Sequence, residues 1–356
     1  MNDAVETRAK VVGEPCTGSG PLQVRDLRVE PETFALRGRG ARPIATAVKR
    51  PLRGALFACR KLRSLGRHQT RRFRTFAPPL RHTPEREVPA MSEPFVPGVG
   101  AVFSADIAVP EHDREVRFYA RVLSTGQDPL WRGEDLMNNL GMPIIGLGAQ
   151  SPEYDQLPLQ WMPHIQVADV ALSAERAVEL GGSALMHTKD EEGNSQWAVL
   201  SDPNGAAFGV IPVVPAEAIS PGEGSAWPDS GSPVGRIAWL DLTVPDPSGS
   251  RDFYQQVIQW SVHDVEMKDG GEGYADYSMV DEGGRAAAGV CHARGVNTGL
   301  PPVWMLYLPV GDFAESLRRV KEEGGKVVKM VKGTDGVDQY AVIRDPVGAH
   351  LALTPG

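Results

Sequence analysis

The chain writes part of itself twice. Asp202 opens "DPNGAAFGVI" and Asp345 opens "DPVGAHLALT", 143 residues further on. The same interval separates Gly181-Gly182 from Gly324-Gly325, Asp169 from Asp312, and Trp161-Met162 from Trp304-Met305. Upstream, "VPEHDREVRFYARV" from Val109 and "VPDPSGSRDFYQQV" from Val244 match at an interval of 135, through Val-Pro, Phe118-Tyr119 against Phe253-Tyr254, and Val122 against Val257. Self-similarity at a fixed spacing is the signature of a duplicated structural unit. The gap between 143 and 135 places about eight extra residues in the second copy, in the loop-rich stretch between Lys268 and Pro302.

Within each copy the pattern runs strand, helix, then about three strands, and then does so again. "GAVFSADIAV" has β character, and "EHDREVRFYARVL" carries Val116, Tyr119, Ala120 and Leu123 at helical spacing. Short strands are expected around Leu130 to Leu140 and Pro143 to Ala149, before the Pro-rich "SPEYDQLP". The second round reads "LQWMPHIQV", the helix "VALSAERAVELGG" closed by its glycines, "SALMH", "QWAVLSD", an Asp-Pro turn and "AAFGVI". The second copy follows suit from "GRIAWLDLTV" to "HLALT". The reading is an α+β chain of four βαβββ units in two tandem modules, residues 98–213 and 235–355, with a Pro, Gly and Ser-rich linker over 214–234.

Charge separates these modules from what precedes them. Residues 1–90 hold 19 Lys and Arg against 8 Asp and Glu, whereas the remaining chain holds 18 against 37. Residues 1–95 show no sustained period and are expected to be a largely disordered or mis-assigned extension, since Met91 opens a short polar lead into the first strand. The Arg-rich run "CRKLRSLGRHQTRRFRTF" is not taken as a nucleic-acid site or a transit signal, because Asp3, Glu6 and Glu14 argue against the latter. Only Cys291 falls in the modules, so no disulfide framework is available there. No apolar run reaches the roughly 20 residues needed to span a bilayer. A cytoplasmic protein without membrane or nucleic-acid partners is expected.

The segments "WLDLTVPD", "RDFYQQVIQW", "WMLYLPVGDFAESLRRVKEEGGKVV" and "IRDPVGAHLALTP", with counterparts in the first copy, give the chain its likeness to a known family. Over residues 98–355 it resembles the vicinal oxygen chelate superfamily of glyoxalases, extradiol dioxygenases and bleomycin-resistance proteins. The resemblance implies that each module folds a cupped mixed sheet around a cavity, with helices outside. It also implies metal ligands at the positions held here by Ser104, Met162 and Gly209 in the first module and by Trp239, Met305 and Ala352 in the second. A divalent ion needs about three oxygen, nitrogen or thiolate donors, and these residues do not supply them. Neither cup is therefore expected to hold the family's metal or any other cofactor.

Residues two away on a strand share a face, so Asp106 and His164 are expected in the first cup, and Asp241 and Tyr307 in the second. Asp106 and His164 are candidates for an acid–base pair; Asp241, Tyr307, Trp239, Trp304, Met162, Met305 and Trp161 are candidates for ligand contact. The bland reading of the same residues is a hydrogen-bonded core. His187, His263, His292 and His350 show no mutual metal spacing and are expected to be surface or structural. The functions this leaves are a protein that binds a small organic molecule, a metal-independent lyase or isomerase, and, if the ligand positions are misaligned, a metal-dependent glyoxalase or dioxygenase. Because tandem modules supply the pairing that single-module relatives reach by dimerising, a monomer or weak homodimer is expected.

Overall fold

The computed structural model describes residues 96–126, 144–216, 234–269, 271–333 and 335–356. The expected extension over 1–95, the strands around 130–140 and most of the linker lie outside these residues. The first module contains β1 (Val102–Val109), α1 (His112–Leu123), β2 (Ile145–Ala149), β3 (Met162–Val167), α2 (Val170–Glu179), β4 (Ser183–Lys189), β5 (Ser195–Ser201) and β6 (Ala207–Pro212). The second contains β7 (Trp239–Val244), α3 (Pro247–Ile258), β8 (Ser261–Asp269), β9 (Glu272–Val280), β10 (Ala286–His292), β11 (Trp304–Val310), α4 (Phe313–Glu322), β12 (Lys326–Lys332), β13 (Asp338–Arg344) and β14 (His350–Pro355). No helix among the described residues is long and apolar enough to cross a membrane.

Each module builds one mixed sheet. The first runs β2-β1-β3-β6-β5-β4 and the second β12-β13-β14-β11-β7-β10-β9-β8. In both, two antiparallel strands meet at the centre, β1 with β3 and β7 with β11, and each has a parallel neighbour on its outer side. The centre is where the two βαβββ units of a module join. The second module is complete as read from the sequence; the positions of the first that correspond to β8 and β9 fall largely in residues 127–143, outside the described residues.

The repeated polar letters have local causes. Asp169 and Asp312 cap α2 and α4, accepting the backbone N–H of Leu172 and Glu315, which satisfies a donor that the first helical turn leaves open. In the Asp-Pro turns, Asp202 accepts from the N–H groups of Asn204 and Ala206, and Asp345 from those of Gly348 and Ala349. Gly205 and Gly348 sit at φ +86° and +112°, where a side chain would be strained.

The remaining repeats serve the contact between modules. Helix α1 packs on α4 and α2 on α3, each pair drawn from different modules, and a single hydrophobic core runs through all four helices and the sheet faces behind them. Tyr119 donates to Asp345 at 2.8 Å and receives a hydrogen bond from Trp161 Nε1 at 3.2 Å. In the reciprocal set Tyr254 bonds Asp202 and receives one from Trp304 Nε1 at 3.0 Å. Phe118 lies against Gly325 and Phe253 against Gly182, so the paired glycines make room for the other module's ring. Ser316 Oγ donates to Val122 O and Ser173 Oγ to Val257 O, each at 2.8 Å. Trp161, Trp304, Tyr119, Tyr254 and Phe118 are all fully buried here; burying one large apolar side chain is worth about 1.5–3 kcal/mol. The helices are outside each cup, as expected, but they fill the middle of the molecule.

Candidate functional site: the two concave sheet faces

With the helix-side faces occupied by the shared core, the opposite faces of both sheets carry a different set of side chains. On the central strands Ala105, Ile107 and Ile165 join the shared core, as do Leu240, Leu242, Leu306 and Leu308. Alternation then sends Ser104, Asp106, Met162 and His164 to the concave face of the first module, and Trp239, Asp241, Met305 and Tyr307 to that of the second. The register brings each set together: Ser104 lies opposite His164, Asp106 opposite Met162, Met305 opposite Asp241 and Tyr307 opposite Trp239.

Two of the expected ligand contacts need correction. Trp161 and Trp304 are each adjacent to a concave-face methionine and so point the other way, into the inter-module core, with no exposed surface. Their indole N–H groups are taken by Tyr119 and Tyr254. They hold the modules together and do not line a cup.

In the first module Ser104 Oγ meets His164 Nδ1 at 3.0 Å, and His164 Nε2 stands 3.8 Å from Asp106 Oδ2. The second distance is beyond hydrogen-bond range. Burial lowers the His164 pKa from 6.5 to about 4, because the charged imidazolium would lose its hydration. The ring is therefore neutral at pH 7. Gly209 lies beside it; a Cβ there would stand 2.5 Å from the imidazole Cδ2. Leu157, Met162, Val199 and Ala207 form the apolar wall of this face.

In the second module Asp241 is the hub. Its Oδ1 accepts from Trp239 Nε1 at 2.8 Å and from Cys291 Sγ at 3.7 Å, and its Oδ2 accepts from Tyr307 OH at 2.9 Å. Gly289, opposite Asp241 in the sheet, leaves space that the carboxylate occupies. Around the hub stand Met305, Tyr340, Val342 and Ala352, with the Tyr307 and Tyr340 rings edge to face at 5.2 Å.

Sequence reasoning missed one feature common to both faces. Leu157 and Leu300, from the segments that join the two units of each module, fold onto the concave walls. They are 143 residues apart and each precedes a proline, so the signal was available in "QLPLQW" and "GLPPVW". In the second module Lys329 Nζ ties this segment down by donating to Val296 O at 2.6 Å and Thr298 O at 2.9 Å.

The positions where the resemblance implies metal ligands do gather on these faces. Gly209 pairs with His164, and Ala352 with Tyr307, beside the central strands. Their residues are Ser104, Met162 and Gly209, and Trp239, Met305 and Ala352. Among the described residues no group of three or more His, Cys, Asp or Glu is placed to hold a metal ion. This donor set does not fit a divalent ion, since an indole N–H only donates and glycine and alanine offer no side-chain donor atom.

Two mixed sheets in tandem, each backed by its own helices, which pack against those of the other module, and each presenting a polar cluster on the opposite face, define the class of protein. Residues 103–211 match the glyoxalase-like domain model and residues 236–353 the glyoxalase/bleomycin resistance protein/dioxygenase superfamily model. The chain belongs to the vicinal oxygen chelate superfamily as a tandem, glyoxalase-like member. CFP32 of Mycobacterium tuberculosis, named provisionally as a glyoxylase, is 30% identical over 116 residues, 32% of this chain and 43% of that protein. The anthracycline biosynthesis protein DnrV of Streptomyces peucetius is 30% identical over 132 residues, 33% of this chain and 46% of that protein. The chain thus spans less than half the length of these relatives. Among solved structures, the catechol dioxygenase BphC aligns with 73% of this chain and 87% of its own at 13% identity and a TM-score of 0.42. An extradiol dioxygenase from B. fuscum aligns with 76% and 75% at 15% identity and a TM-score of 0.45.

Proposed function

We propose that this protein binds a small organic molecule on the concave face of the second module, without the family's metal. The observation that carries the reading is the Asp241 cluster. A carboxylate offers about four acceptor sites, and Trp239, Cys291 and Tyr307 use three of them. The fourth is available to a hydroxyl or amine donor on the ligand. Trp239, Met305, Tyr307 and Tyr340 supply an apolar, largely aromatic wall for the ligand's body, the usual composition of a small-molecule site. Binding displaces Leu300 from that wall.

The metal-free part of the reading rests on the donor chemistry at the six ligand positions. The alternative of an acid–base enzyme using Asp106 and His164 is the weaker one, for two reasons: the 3.8 Å separation, and a base pushed to about 4, far below the working pH. A monomer or weak dimer accords with the same architecture, because each module covers the other's helix face. The similarity to DnrV, an anthracycline biosynthesis protein, is in keeping with an organic ligand.

Native mass spectrometry of the full chain, purified without added metal, tests the proposal. A mass equal to the polypeptide plus a small organic molecule that Asp241→Asn fails to retain supports it. A stoichiometric divalent ion overturns it.

A further inference from the structure

Two strands away from Asp241, on the same concave face, lies a second polar pair that neither the sequence reading nor the binding proposal uses. On β9, Tyr277 and Met279 belong to the shared core, so Tyr274 and Asp276 face the cup. Asp276 is almost fully buried. Its Oδ1 accepts both the backbone N–H of His292 and the ring nitrogen Nδ1 of His292, each at 2.9 Å. Alternation from Val290 would leave His292 on the core side, but the ladder to β9 ends at Val290, and beyond it the imidazole turns to Asp276 and packs edge to face on Tyr274, centroids 5.0 Å apart. Its side chain keeps 27% of its surface exposed, and its Nε2 makes no hydrogen bond to any described residue.

We propose that Asp276 and His292 form a proton-transfer centre at the rim of the second module's concave face, serving a neutral small molecule with a weakly acidic hydroxyl. A carboxylate bonded to Nδ1 holds the proton on that nitrogen and leaves the lone pair on Nε2. The ligand's hydroxyl proton passes to Nε2, the electron pair of the O–H bond stays on the ligand oxygen, and the imidazolium so formed stands against Asp276. The proton returns to the ligand by the reverse route, so no oxidant, reductant or co-reactant is consumed. The contrast with the first module is physical. His164 is fully enclosed, bonds a serine and stands apart from its aspartate, whereas His292 is bonded to its carboxylate and open to solvent.

Surrounding charge selects the ligand class. Arg294 lies over the Tyr274 ring at 4.4 Å, but Asp269 at 3.4 Å and Glu272 at 3.0 Å offset its charge. With Asp276 added, the neighbourhood is acidic, which disfavours a carboxylate or phosphate and favours an uncharged hydroxyl. Asp276 lies two strands across and two residues along from Asp241, and His292 one strand across and three residues along, separations of roughly 12 Å, so one small molecule can touch both.

The test is made on the full chain labelled with nitrogen-15. Two-bond proton–nitrogen correlation spectra at pH 7.5 are expected to show His292 with its proton on Nδ1 and a bare Nε2; a proton on Nε2 in the neutral ring overturns the proposal. Diethyl pyrocarbonate, which acylates unprotonated imidazole, is expected to modify His292 at least tenfold faster than His164, as read by peptide mass spectrometry. Equal rates overturn it. Asp276→Asn is expected to lose the tautomer preference and to slow His292 at least threefold, an effect that a merely structural aspartate would not produce. The tautomer is read on the unaltered chain, so a variant that fails to fold leaves the proposal testable. Phenol as a probe is expected to protect His292 at least threefold and benzoate not at all; no protection by phenol, or equal protection by both, overturns the ligand class. The tautomer and reactivity readouts require no ligand at Asp241, so failure of the binding proposal and failure of this one are distinguishable.

Discussion

At the scale of single residues, small side chains on the concave faces are there because something larger lies against them. Gly209 is the sharpest case: a methyl group at that position runs into the His164 ring. Gly209→Ala is expected to cost about 1–3 kcal/mol, the usual range for forced overpacking, with urea denaturation as the measurement. An unchanged midpoint would show that the imidazole is free to move. Tyr307→Phe takes away the donor to Asp241 Oδ2 and leaves a buried acceptor short of a partner, at an expected cost of about 1–3 kcal/mol. Little of this scale could be read in the sequence. The resemblance supplies the positions of Met162, Met305 and Trp239, and strand alternation, a steric rule, adds Asp106, His164, Asp241 and Tyr307 to the same faces. The same rule, applied one residue further, would have turned Trp161 and Trp304 away from the cups. His292 reads from the letters as surface or structural because its partner, Asp276, is sixteen residues distant and meets it only where β9 runs beside β10.

At the scale of elements, the two reciprocal contacts between modules are alike in plan and unlike in chemistry. Where α3 carries Ser250, bonded by Asn204, the matching position of α1 carries Glu115, fully buried beside the Asp345 carboxylate. Burial first, and the Asp345 charge second, raise the Glu115 pKa from 4.5 to about 8, with Arg114 opposing and Glu111 adding to the rise; burial raises Asp345 as well. A carboxyl whose folded pKa lies above its unfolded one contributes stability that is complete below the unfolded value and is lost as pH climbs through the folded one. The thermal midpoint is therefore expected to fall between about pH 4.5 and 8, by at most about 1.4 kcal/mol per pH unit from this group. Glu115→Gln is expected to flatten the decline and to raise the midpoint at pH 8. Parallel profiles for the two proteins would refute the assignment. The paired glycines give a second prediction at this scale. A Cβ on Gly325 meets Arg344 O at 2.9 Å and the Phe118 ring at 2.8 Å. Backbone cannot step aside, so Gly325→Ala is expected to lose more than about 2 kcal/mol, at the upper end of overpacking costs.

At the scale of the molecule, the duplication read from the letters and the architecture agree over the described residues: three complete βαβββ units and the first strand, helix and parallel strand of a fourth, in two sheets with a continuous core. The sequence could not say where the helices would go, because an amphipathic helix records that one face is buried and not which sheet or helix covers it. Each module's helix face is covered by the other module, so neither is expected to stand alone. Residues 235–356 expressed without the first module would expose Phe253 and Tyr254 and leave the Asp345 turn without Tyr119. Light scattering is expected to find this fragment self-associated or unfolded; a stable, folded monomer would contradict the shared core.

The pairing of Tyr119 with Asp345, and of Tyr254 with Asp202, has a wider consequence. Four of the signals that make this chain recognisable, the phenylalanine-tyrosine pair, the tryptophan, the twin glycines and the aspartate-proline turn, serve the join between modules. A fingerprint built from them would sort proteins by how their halves are assembled. It would be blind to what those proteins hold, because none of these four signals stands on a concave face, where Trp239, Asp241, Met305 and Tyr307 do.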